Sequence, residues 1–360
     1  MHTLKIAALS AFACGLLLLP AVAQKKKKEI TQTLQLPKEL PASTVGETRR
    51  LTFHITPLSG KGLLSAQVRD ALRVLLHETG TNPVLRIRAF AAGSGDLRRV
   101  RDLVSDTFSD HKLPLPALSL VQTGGLPMEG AQVVLEAIAQ SKKEVNPQGL
   151  VFAAAPVFTS ENPLDPVAPL AAKSIEQLKA NLKSAGSEAA DVLRVTCYLS
   201  SLENVAATRQ LVTADYPRAA LNFVQTQRAP AIALGACEAV ARLTWTTGKR
   251  VHFLPEGSEP RMALVAAPRI VLSGTQVSYG YQEADSQLAF ERLRKSLEAA
   301  GVGRADMVFT QYYSLAAPLT AQIRKLAPGV FGSPVSSILP VEGLPSMQAG
   351  FAVDVVAAKD

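Results

Sequence analysis

The chain has 360 residues, a formal net charge of +8, 47% apolar and 19% charged residues. That balance excludes disorder for most of its length, and at about 150 residues per domain it leaves room for two or three domains. Three cysteines are too few for a disulfide framework or a four-thiolate zinc site, and His2, His54, His77, His111 and His252 form no His-x-x-x-His pair, so neither a metal nor another cofactor is expected.

The first 23 residues read as a targeting segment. Lys5 is followed by the apolar stretch Ile6 to Leu19 and by Pro20-Ala21-Val22-Ala23, the layout of a signal peptide cleaved after Ala23. The apolar stretch is shorter than the ~20 residues that span a bilayer, so any membrane contact is expected only through this segment. An exported chain, periplasmic or extracellular, is the expectation. Residues 24–46 form a basic tail whose Lys25 to Lys28 run carries four of the surplus charges, leaving the folded body close to neutral. A near-neutral body without a basic stripe interleaved with aromatics gives no reason to expect a nucleic-acid partner.

Beyond the tail the chain repeats. Ala66 to Gly80, Lys173 to Gly186 and Ser286 to Gly301 each carry apolar residues at the period of one helical face (Val68, Leu72, Leu75; Ile175, Leu178, Leu182; Phe290, Leu293, Leu297), and each ends at a glycine. Each predicted helix leads into a strand rich in β-branched or aromatic residues: Val84 to Phe90, Val192 to Leu199 and Met307 to Leu315. A shorter helix follows, over Asp96 to Val104, Leu202 to Thr213 and Pro318 to Leu326. Two apolar strands close each copy, with a turn between them. Around that turn the text itself recurs: Val121-Gln122-Thr123 before Pro127, Val224-Gln225-Thr226 before Pro230, and Glu342-Gly343-Leu344 before Pro345. Helix-ending glycine and turn proline are 47, 44 and 44 residues apart in the three copies. This register predicts three α+β domains, at 47–140, 149–246 and 260–360, joined by linkers at Ser141 to Gln148 and Thr246 to Pro260.

The second copy resembles the Rid family, also called YjgF or endoribonuclease L-PSP. The resemblance rests on Phe158-Thr159-Ser160, Pro163-Leu164-Asp165, Leu182 to Gly186, Asp191 to Leu199 and the closing strand Ala236-Cys237-Glu238-Ala239-Val240-Ala241. The third copy is similar through Val271-Leu272-Ser273-Gly274, Leu297 to Gly301 and Val353 to Val356; the first is more divergent. The resemblance implies tandem chorismate-mutase-like domains and, since family members are homotrimers with ligand clefts between subunits, a monomeric pseudo-trimer with sheets inside and helices outside.

Active members hydrolyse imines or enamines of amino acids. The resemblance implies an arginine nine residues before the turn proline, whose fork binds the substrate carboxylate, and an acid on the closing strand that holds the attacking water. The first position is occupied by Leu118, Leu221 and Ser336, none of them a cation. The nearest candidates for a shifted cation are Arg218 and Arg228. The acid position holds Glu136, Glu238 and Asp354, each in an apolar strand, where it either holds water or a ligand or is a structural carboxylate bonded to backbone. The functional expectation is a small metabolite bound in inter-domain clefts with little or no deaminase activity. An imine deaminase and a structural, partner-binding envelope protein are the alternatives, and an RNA-cleaving role fits poorly. Cys197 and Cys237, on strands of the second copy, are read as buried free thiols.

Overall fold

The computed structural model describes residues 36 to 360 apart from Ser94. The expected signal peptide and the Lys25 to Lys28 run lie outside the described residues. Residues 37 to 360 form one compact unit, in which the predicted helix–strand–helix–strand–strand order occurs three times.

After an initial strand β1 (Ser43–Glu47), the first copy comprises β2 (Leu51–Ile55), α1 (Leu64–Thr79), β3 (Val84–Ala92), α2 (Leu97–Asp110), β4 (Ala117–Thr123) and β5 (Val133–Gln140). The second comprises β6 (Leu150–Ala154), β7 (Phe158–Ser160), α3 (Val167–Ser184), β8 (Val192–Leu199), α4 (Val205–Asp215), β9 (Ala220–Gln225) and β10 (Ala233–Arg242). A hairpin of β11 (Val251–Leu254) and β12 (Met262–Val265) follows. The third copy comprises β13 (Arg269–Ser273), β14 (Gln276–Tyr279), α5 (Glu283–Ala299), β15 (Met307–Ser314), α6 (Ala317–Phe331), β16 (Val335–Pro340) and β17 (Ala349–Lys359).

In each copy the middle strand pairs in parallel with the strand after the second helix (β3 with β4, β8 with β9, β15 with β16). A parallel pair needs a crossover, and α2, α4 and α6 supply it. The closing strand (β5, β10, β17) pairs antiparallel on the other side of the middle strand. The three long helices end as their glycines predict: Gly80, Gly186 and Gly301 all have positive φ, and behind the last two, Ser187 and Val302 return hydrogen bonds to Leu182 and Leu297. Helix α2 runs past the predicted end because Val100, Leu103, Val104 and Phe108 continue one buried face, while Asp96 caps its start by accepting from the Arg98 N–H at 2.9 Å.

Strand alternation sorts the core. One face of each sheet packs under its own helices, giving one cluster per copy, the second copy's being joined by Met262 and Leu264 of β12. The other faces pack on one another. Phe90, Val121 and Val134 of the first copy share a cluster with Tyr198, Val224 and Ala236 of the second and with Tyr313, Leu339 and Ala352 of the third. The repeated turns also meet. Gln122 N–H donates to Gly343 C=O at 2.9 Å, Gln225 N–H to Gly125 C=O at 3.0 Å, and the Gln227 side chain to Val341 C=O at 3.0 Å. Gly124 is required there, since a Cβ on it would lie 2.3 Å from the Gln227 carbonyl carbon.

Two features differ from the sequence expectation. The segment read as a basic tail contributes β1, which pairs antiparallel with β13 of the third copy, Ser43 opposite Ser273 through Glu47 opposite Arg269. The segment read as the second linker contributes β11, and β12 beyond it extends the second copy's sheet by pairing with β6. Both additions have one cause: β13 and β6 would otherwise present unpaired backbone at a sheet edge. Truncating the chain to start at Thr48 rather than Pro37 removes β1, and is expected to lower the melting temperature by about 3 °C or more in a calorimetric comparison.

The cysteines also differ from expectation. Cys197 and Cys237 stand directly opposite each other on β8 and β10, with Cα atoms 4.1 Å apart, and form a disulfide rather than two free thiols. Neither strand's sequence shows this pairing, because register is set between strands 40 residues apart. A chain starting at Gln24, denatured without reductant, is expected to take up no alkylating agent by mass spectrometry, and two equivalents after reduction.

Candidate functional site

The middle strands place charge where the sheets meet. Alternation along β3 turns Ile87 and Ala89 to the helices and Arg86, Arg88 and Phe90 to the other copies; on β8 the same face carries Arg194, Thr196 and Tyr198. The closing strands set an acid directly across from this face: Glu136 opposite Arg88, Glu238 opposite Thr196, and Asp354 opposite Gln311. The three candidate carboxylates are therefore brought together, with three arginines that sequence reasoning passed over. All six side chains are at most 4% exposed.

Most contacts run between copies. Arg88 Nη1 lies 2.7 Å from Glu238 Oε1 and 3.5 Å from Glu136 Oε2, and its Nε lies 3.5 Å from Asp354 Oδ2. Arg86 Nη1 is 3.6 Å from Asp354 Oδ1. Arg194 reaches Glu238 at 3.1 Å and Glu136 at 3.5 Å. Neutral donors add to the shell: Thr196 and Asn222 donate to Glu136 at 2.6 and 2.7 Å, and Ser119 donates to Asp354 at 2.8 Å. Glu136 Oε2, Glu238 Oε2 and Asp354 Oδ1 are buried with no hydrogen-bond partner among the described residues. Burial alone would raise the pKa of Glu136, but Arg194 and Arg88, with the bonds from Thr196 and Asn222, hold it below the ordinary carboxylate value. Burial pulls Arg86 down to about 10, offset only in part by Asp354. Burial also raises the Tyr198 and Tyr313 phenols, keeping them neutral at the edge of the cluster.

The cavities lie elsewhere, and none of the three carboxylates lines one of the principal clefts. A cleft of about 690 Å³ separates the second and third copies, its walls including Val157, Arg261, Tyr312, Arg324, Ser336 and Ser337. One of about 240 Å³ between the first and third copies holds Leu118, Arg101 and Gln276. One of about 360 Å³ between the first and second holds Phe53, Leu193, Arg218 and Arg242.

The remaining candidate residues fall as follows. Leu118 and Ser336 line clefts, and the Ser336 hydroxyl is 2.7 Å from that of Thr310. Leu221 packs against the second copy's core, while Arg218 reaches the cleft that Leu221 does not line. Arg228 is not a cleft cation. It forks onto Glu342 of the third copy, Nε and Nη2 lying 3.0 and 2.9 Å from Oε1. The residues that sequence reasoning missed carried a signal of their own: Arg86 and Arg88 alternate within an otherwise apolar strand, and a strand can bury such a pair only against acids. Arg261 gave no such signal, because it lies at the edge of the segment read as a linker. Among the described residues no group of three His, Cys, Asp or Glu side chains is placed to hold a metal, and no helix is long and apolar enough to cross a membrane.

No family model and no curated protein matches the chain. Solved structures do. A member of the YjgF/YER057c/UK114 family from Mycobacterium tuberculosis is similar at 22% identity and TM-score 0.24, over 30% of this chain and 99% of that one. A Rid-family protein of Yersinia pestis matches at 19% and 0.27, over 31% of this chain and all of that one. A YjgF-family protein of Neisseria meningitidis matches at 14% and 0.23, over 31% and 95%. The matched structures are Rid-family folds, each spanning about a third of this chain.

Replacing Glu136 by Gln leaves Arg194 short of an acid and is expected to cost about 3 kcal/mol at neutral pH. Because the folded-state pKa of Glu136 is lowered, its contribution is complete above the unfolded value of 4.5 and is lost as pH falls towards the folded one. Denaturant melts across pH should therefore show wild type losing stability below about 4.5 and the variant falling less steeply there.

Proposed function

We propose that the chain is an exported, single-chain pseudo-trimer of Rid-like domains that binds a small metabolite in its inter-copy clefts and has little or no imine deaminase activity. The observation that carries this reading is the separation of charge from cavity. The three closing-strand acids are held by Arg86, Arg88 and Arg194 in a buried cluster, so none of these three stands free in a cleft to position an attacking water. The positions where the resemblance implies a carboxylate-binding arginine are Leu118, Leu221 and Ser336, and neither leucine nor serine can form a bidentate charged contact.

Binding is supported by the cleft between the second and third copies, whose volume of about 690 Å³ falls in the range of small-molecule sites, about 300 to 1,000 Å³. Its polar groups favour an anion. Arg324 enters from α6 and Arg261 from the β11–β12 hairpin, the latter 3.2 Å from the exposed Glu259, the single acid of the cleft, with the Ser336 and Ser337 hydroxyls on the opposing strand. These cations reach the cleft from elements other than the strand that carries the family arginine. Export is supported by the signal-peptide layout and agrees with the disulfide between Cys197 and Cys237.

The test joins turnover and binding. Chain starting at Gln24, given freshly generated 2-aminoacrylate, is expected to release ammonia no faster than the uncatalysed reaction. Release near the rate of an active Rid deaminase, lost in Glu238→Ala, would establish the enzyme instead. In a thermal-shift panel of small carboxylates, at least one is expected to stabilise the chain, and Arg261→Ala to weaken that binding by about tenfold or more, as for loss of a charged hydrogen bond.

A further inference from the structure

The buried charges are divided unevenly among the copies. The first contributes Arg86, Arg88 and Glu136, a surplus of one positive charge; the second contributes Arg194 and Glu238, which balance; the third contributes only Asp354, a surplus of one negative charge. The register identifies what stands at each equivalent place. Across from the acids are Arg88, Thr196 and Gln311, and two residues earlier are Arg86, Arg194 and Phe309. Any set that contains the first copy is neutral only with the third copy beside it, while the second copy is neutral by itself.

We propose that this division is a matching code: the inner face of the first copy fits only a partner face with surplus acid, and the third copy is built as that face. The contacts run that way. Both arginines of the first copy approach Asp354, at 3.6 and 3.5 Å, and Arg88 lies within 3.5 Å of a carboxylate oxygen from every copy. Three faces of the first kind would bury six guanidinium groups against three carboxylates. Three of the third kind would bury three carboxylates with no cation. Either arrangement leaves charge unpaired in a dry interface, which is strongly unfavourable and acts against like-with-like assembly. The first and third copies are thus each other's obligate partners, and the chain holds its own assembly in one order.

The test moves a charge without changing the total. In the full chain, Arg88→Gln leaves the cluster one negative and Gln311→Arg leaves it one positive; each is expected to lower the melting temperature by roughly 5 °C or more. The double variant R88Q/Q311R transfers the guanidinium from the first copy to the equivalent place in the third and is neutral again. It is expected to regain more than half of the summed loss, whereas a loss equal to the sum of the two singles overturns the proposal. Should the transfer variant fail to fold, R88M/D354L decides, since it is neutral by removal: recovery relative to R88M and D354L sustains the matching code, and additive losses reject it.

Discussion

A guanidinium group cannot be left unpaired in a protein interior, and Arg88 is buried where all three sheets meet. That single placement dictates much around it. The closing strand of its own copy must bring Glu136 opposite, and the second and third copies must bring Glu238 and Asp354 within reach. A register slip of one residue in β5, β10 or β17 would turn the acid to the helix side and leave Arg88 short of a partner. Hydrophobic packing holds the sheets together, since the shared apolar clusters cover most of the inner faces. The charge cluster instead specifies how they are held. Buried ion pairs contribute little net stability compared with apolar residues, yet breaking one is costly. Their effect is to exclude alternatives more than to strengthen the one observed.

The same distinction explains what the sequence revealed. Helices and strands were legible because their signals are local: the apolar face of α1, the glycine after α5 and the β-branched run of β8 each lie within one short window. Three copies were legible because text recurs at a fixed spacing. The acids at Glu136, Glu238 and Asp354 were found from the strands that carry them, but their partners were not. Arg88 and Glu238 are 150 residues apart, and Ser119 and Asp354 235; no window along the chain contains both ends of such a contact. The alternation of Arg86 and Arg88 in an apolar strand announced that acids were needed without saying which.

Strand exchange at the edges was hidden for a related reason. β1 is a short segment at the end of the predicted tail and β12 one just past the predicted linker, and each becomes a strand by completing the edge of a sheet belonging to another copy. Isolated propensity is weak for such segments, and the partner edge supplies the order. The disulfide follows the same logic, since Cys197 and Cys237 meet only once β8 and β10 are in register.

Cleft chemistry follows from where the cations went. A strand can turn alternate residues either inward or to its helices, so an arginine on the middle strand at Arg86, Arg88 or Arg194 is committed to the buried interface. At the start of the neighbouring strand, where Leu118 and Ser336 border clefts, no cation remains. Charge reaches the clefts from other elements: Arg101 from α2, Arg218 before β9, Arg242 from the end of β10, Arg324 from α6 and Arg261 from the hairpin. Of these three clefts, the one between the second and third copies adjoins the β11–β12 hairpin, and it is also the largest. The insertion that completes the second copy's sheet therefore also shapes the largest of these three cavities. Three repeats of one unit thus enclose three unlike clefts, because each interface takes its polar groups from different elements.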